Sequence, residues 1–167
     1  MARARALAGL LSLVILAACA RMGEDEARAI LERWFWLGDN VYFNSTRECT
    51  AALYELRSGE IKSALAVDNS VRAALAALER RSVMALRHEE GTPDEAFIEV
   101  MNQDRPVGVA LQYAAFSARA CMDEAAEGAF HQLFSSPGAV LVYERSANVV
   151  AVMDPDLRMV VLAGGAE

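Results

Sequence analysis

The chain has 167 residues, 54% of them hydrophobic, and a formal net charge of −7. That length suits one domain able to bury roughly 68–70% of its unfolded surface. The acidic balance repels phosphates, which argues against nucleic acid as a partner and against electrostatic docking on anionic lipid.

In chain order, Arg3 and Arg5 form a short basic start, and residues 7–18 are hydrophobic apart from Gly9 and Ser12. Such a run is shorter than the roughly 20 residues that span a bilayer and fits a secretory signal peptide. It ends in Leu16-Ala17-Ala18-Cys19. This resembles the lipobox of bacterial lipoprotein precursors: a branched hydrophobe, two small residues and a cysteine. The resemblance covers residues 1–19 only. It implies cleavage before Cys19, a lipid on the Cys19 thiol and attachment to a membrane through that lipid. Ala18-Cys19-Ala20 also fits ordinary A-x-A cleavage, and an uncleaved anchor is the third reading. By the same resemblance, Ala20 in place of an aspartate directs the protein to the outer rather than the inner membrane, facing the periplasm. Without residues 1–18 the chain keeps 149 residues and a charge of about −9. The expected organisation is a signal peptide (1–18), a lipidated N-terminus with a short linker (19–23) and a single α+β domain (24–167).

Glu24, Asp25 and Glu26 open a predicted helix that places Ala27, Ile30, Leu31, Trp34, Gly38 and Val41 on one face. Ser45 and Glu48 have the spacing of a capping box for a second helix over about 46–57. A short helical stretch over 60–67 follows, and Asp68 or Asn69 caps a longer helix to about His88. Thr92-Pro93-Asp94-Glu95 is a strong helix start, with a Thr cap, a Pro at the first position and a Glu at the third. Asp104-Arg105-Pro106 restarts the chain into a helix carrying Val109, Tyr113, Phe116, Ala120 and Cys121, extending toward Phe134. Ser135-Ser136-Pro137-Gly138 is a turn, and three valine-rich runs at 139–145, 148–153 and 158–163 read as strands. The expected fold is thus α+β: an N-terminal layer of about five helices followed by a C-terminal three-stranded antiparallel meander.

With Cys19 assigned to lipid, Cys49 and Cys121 remain as a matched pair. Two cysteines on apolar helix faces of an exported protein are expected to bond. The alternatives are two buried thiols or, with no ligand cluster near either, a metal pair. Trp36 and Phe43 lie at helical spacing on an otherwise acidic side, flanked by Asp25, Glu32 and Asp39. They are either covered by a second layer or form a partner-docking surface. His88 fits the end of a helix. His131 near Ser135 and Ser136 suggests a serine–histidine pair, but no G-x-S-x-G elbow accompanies it. Asp154 and Asp156 fit turn chemistry, being too few to hold calcium.

No P-loop, dinucleotide-binding, zinc-protease or C-x-x-C motif is present. The sequence therefore suggests no catalytic residue, cofactor or metal. It suggests a non-enzymatic envelope lipoprotein that is a protein-binding or structural component, binding another envelope protein by an edge strand among other routes. The alternatives are a small-ligand or lipid-binding lipoprotein, favoured by an apolar cavity between helices and sheet, and a hydrolase using His131.

Overall fold

In the computed structural model, residues 21–88 and 91–165 are described. The lipobox, including Cys19, lies outside them. The first helix, α1 (Glu24–Glu32), begins on the three acids as expected but stops far short of Val41. Residues from Phe35 to Ser45 instead form β1, which pairs with β2 (Cys49–Ile61) as an antiparallel hairpin. Aromatic residues favour a pleated, half-buried surface, and Gly38, Asp39 and Asn40 are poor helix formers. Thr46 makes the turn: its Oγ1 accepts from the backbone N–H of Glu48 and of Cys49. The expected Ser45–Glu48 capping box is therefore absent, and the helix over 46–57 is a strand.

After a crossing loop come α2 (Val71–Arg81), β3 (Val83–Arg87), α3 (Pro93–Gln103) and α4 (Arg105–Ser117). A 3-10 turn (Ala118–Cys121) separates α4 from α5 (Glu124–Phe134), and β4 (Val140–Glu144), β5 (Val149–Asp154) and β6 (Met159–Gly165) follow. The helix expected to run to His88 ends at Arg81, where Ser82 takes a left-handed conformation (φ 58°) and turns the chain into β3. Ser70, rather than Asp68 or Asn69, caps α2. The Thr92 capping box and the proline in the first turn of α3 are both present.

The fold is α+β, but its plan differs from a helical layer followed by a meander. All six strands join one antiparallel sheet in the order β1-β2-β6-β5-β4-β3. The C-terminal strands lie in the interior of that sheet, flanked by β2 on one side and β3 on the other, and they contribute no free edge. The two edges are β1 and β3. Asp68 partly covers the outer side of β3, its N–H donating to Ala85 O (2.9 Å) and its C=O accepting from Arg87 N (3.0 Å).

Both faces of the sheet are covered, which explains why the strands are apolar at consecutive positions. On one face Leu53, Leu141, Val152 and Val161 meet α2 to α5 through Leu78, Val100, Leu111 and Phe130. On the other, Tyr54, Val142, Met153 and Leu162 meet α1 and the crossing loop through Leu31, Trp34 and Leu65. Arg33, just after α1, forks onto the buried Glu144 carboxylate at 3.1 and 2.5 Å. The sheet thus carries a four-helix layer on one side and a single helix on the other. Among the described residues no helix is long and apolar enough to cross a membrane.

Candidate functional site

Cys49 and Cys121 form a disulfide, with Cα atoms 5.9 Å apart. It ties the first residue of β2 to the end of the 3-10 turn. Tyr42 reinforces the junction: its hydroxyl donates to Cys121 O (2.6 Å) and accepts from Asp123 N (3.1 Å).

The other distinctive surface is on α3 and α4. Asp104 caps α4 by accepting from Val107 N (3.1 Å). The helix then buries Val107, Gly108, Leu111, Ala114 and Ala115 against α3 and the sheet. Gly108 permits that packing, since a Cβ there would stand 2.5 Å from Met101 Cα. The opposite side of α4 carries Val109, Gln112, Tyr113 and Phe116, the i, i+3, i+4, i+7 spacing of a single helical face. Val109 is 50%, Tyr113 51% and Phe116 41% exposed, and Ile98 on α3 is 61% exposed. An open hollow of about 620 Å³ runs between the two helices, with Phe97, Ile98, Met101 and Phe116 among its lining residues. Phe116 stacks edge-on between Phe97 and Phe130, at 6.0 and 6.5 Å between ring centroids, so the floor of the hollow is built into the core.

The sequence reading placed Val109, Tyr113, Phe116, Ala120 and Cys121 together on this helix, and of these Cys121 is buried, in the 3-10 turn. Val109, Tyr113 and Phe116 point outward, and Ala120 is exposed. The readable signal was that α4 is apolar on two sides, and a helix apolar all round belongs in an interior or under a partner.

At one end of the hollow Asp94 lies beside Ser135, whose hydroxyl donates to Asp94 Oδ2 (3.4 Å). Burial pushes the Asp94 carboxyl above its ordinary value, while Ser135 and His131 pull it back. His131 is exposed, with Nε2 3.7 Å from Glu127 Oε1. Arg119 on the same carboxylate, with a smaller effect of His131, holds Glu127 below its ordinary value. Ser136 hydrogen-bonds to the buried Asp154. The recorded hydroxyl partners of Ser135 and Ser136 are thus carboxylates rather than His131. Asp154 Oδ1 also accepts from the N–H of Asp156 and Leu157 at 2.7 and 2.9 Å, holding the β5–β6 turn.

Trp36 and Phe43 both lie in β1, so no helix aligns them. Trp36 is half exposed beneath the Lys62 ammonium, 4.3 Å from the ring centroid. Phe43 is partly buried against the core on the α1 side of the sheet. Among the described residues, no three His, Cys, Asp or Glu side chains are grouped to hold a metal ion. No protein-family model, curated protein or solved structure matches this chain.

Proposed function

We propose that the protein is a bacterial envelope lipoprotein, anchored through lipid on Cys19, that binds another envelope protein without performing chemistry on it. The observation that carries the binding role is the outward face of α4. Phe116 lines the hollow between α3 and α4 with Ile98 and Met101, and with Val109 and Tyr113 it leaves large apolar side chains exposed on a helix whose other side is already committed to the core. A surface of this kind on a soluble domain marks an interaction site, and the hollow between α3 and α4 has the form that accepts an apolar helix face. The lipobox resemblance supports the address. The Cys49–Cys121 disulfide supports it too, since such bonds persist in oxidising compartments such as the periplasm.

The test is site-specific photo-crosslinking in living cells. A crosslinker placed at Ile98 is expected to give a discrete protein adduct, and one at the exposed Gln132 on α5 to give none. Gln112→Arg, on the exposed rim of the same hollow, should abolish the Ile98 adduct while leaving the melting temperature within a few degrees of wild type. Adducts of equal yield at both positions, or an adduct indifferent to Gln112→Arg, would refute the binding face. An Ile98 adduct to lipid rather than protein would move the reading to a lipid-binding lipoprotein, for which the apolar floor of the hollow is the favouring feature. Palmitate labelling of wild type against Cys19→Ser tests the anchor.

A further inference from the structure

Arg21 follows Cys19 by two residues, and its position identifies the end of the domain nearest that cysteine. Arg21 lines a hollow of about 190 Å³ together with Arg47 of the β1–β2 turn, Ala147 of the β4–β5 turn and Gly165 at the end of β6. These residues define one pole of the sheet. The β5–β6 turn, with Asp156 and Leu157 exposed, lies at the other end of β5. A six-residue strand separates the two by about 20 Å.

Cys19 precedes Arg21 by two residues, a span of at most about 7 Å. The headgroup layer of a bilayer is itself roughly 5–8 Å deep. A lipid on Cys19 therefore leaves the first pole no room to stand off from the surface, whereas the second pole is held well above it. The chemistry of the first pole agrees. Arg21 and Arg47 are exposed and make no ion pair among the described residues. Glu26 lines the same hollow and Glu48 follows Arg47 in the turn, so among the described residues this pole is about neutral where the rest of the chain is acidic. Tyr113 reaches the same pole, since a Cβ at Gly165 would stand 2.9 Å from Tyr113 Cε1. Tyrosine is at home in the headgroup belt, with its ring in the apolar layer and its hydroxyl wet.

We infer that the pole bearing Arg21, Arg47 and Tyr113 rests on the phospholipid headgroups of the anchoring membrane, the two guanidinium groups pairing with lipid phosphates. The attachment itself comes from acyl chains, because two arginines on an acidic domain add little to anchoring. Their effect is orientation: they offset Glu26 and Glu48, so phosphates repel this pole less than the rest of a chain carrying about −9 in its mature form.

This inference rests on the lipid reading of Cys19, and the experiment separates the two. Full-length lipidated protein is reconstituted in vesicles of phosphatidylethanolamine and phosphatidylglycerol, with p-benzoylphenylalanine placed either at Glu48 beside Arg47 or at Asp156 on the far turn. Glu48 is expected to give phospholipid adducts and Asp156 none. Arg21→Gln with Arg47→Gln should lower the Glu48 yield several-fold without loss of palmitate. A palmitate-labelled protein that crosslinks lipid equally at both positions, or only at Asp156, overturns the orientation and leaves the anchor standing. A wild type that takes up no palmitate overturns both.

Discussion

Reducing the Cys49–Cys121 bond should cost about 4 kcal/mol of stability. The bond closes a loop spanning 72 positions that contains α2, β3, α3 and α4, and closing a loop of that length removes about 4 kcal/mol of unfolded-chain entropy. The folded side of the balance should change little. Tyr42 and Asn44 both donate to Cys121 O, at 2.6 and 3.1 Å, and hold the 3-10 turn against β1 whether or not the sulfurs are joined. The loss therefore arises in the unfolded state. For a domain of this size it corresponds to a fall of roughly 10–15 °C in melting temperature. The assay is urea unfolding of unlipidated Cys19→Ser protein, with and without reductant, alongside near-ultraviolet circular dichroism and a count of reactive thiols. Reduction is expected to lower the urea midpoint and leave the native dichroism intact. Midpoints differing by less than about 1 kcal/mol equivalent would refute the loop-closure reasoning. Two reactive thiols before reduction would refute the bond itself.

Three further changes follow from the packing. Tyr54 is fully buried and its hydroxyl has no hydrogen-bond partner among the described residues, so Tyr54→Phe should stabilise by about 1 kcal/mol in urea unfolding. Burial, followed by the nearby Glu24, pushes the Tyr54 phenol up to about 12. With its folded value above the unfolded one, its contribution is complete below about pH 10 and is lost as pH rises through 12; urea midpoints from pH 9 to 12 should fall more steeply in wild type than in Tyr54→Phe. Gly108→Leu should destabilise by more than about 2 kcal/mol, because its Cβ would stand 2.5 Å from Met101 Cα and push α3 off α4; a thermal melt near wild type would contradict that close approach. Thr92→Ala should cost about 1 kcal/mol by chemical denaturation, since it removes the acceptor for Glu95 N at 3.3 Å and half of the capping box.

What could be read in advance was local. Thr92, Pro93 and Glu95 announce α3 through side-chain chemistry that needs no distant partner, and Pro137-Gly138 announces the turn before β4. The N-terminal hairpin was hidden for a physical reason. Ala51 and Leu53 face α2 to α5 while Ala52, Tyr54 and Leu56 face α1, so β2 shows no polar alternation. Its Ala-Ala-Leu-x-x-Leu pattern then fits a helix as well as a strand, and pairing with β1 and β6 decides between them. The α3–α4 surface was misplaced for a related reason. Two apolar stripes on α4 both fit a helical period, and the sequence reading singled out the one with the larger side chains. The true inner stripe is built largely of Gly108 and alanines, whose value lies in letting α4 approach its neighbours closely. The disulfide was legible because counting cysteines does not depend on secondary structure.

The strand order also has a consequence in time. β6 is the last of the six strands in the chain, yet it sits between β2 and β5 and joins the N-terminal hairpin to the C-terminal strands. Until Met159–Gly165 has emerged, the hairpin made some hundred residues earlier has no neighbour to complete it. A nascent chain built on this plan can pair β1 with β2, and β3, β4 and β5 with one another, but the two halves close into one sheet only when its final strand arrives.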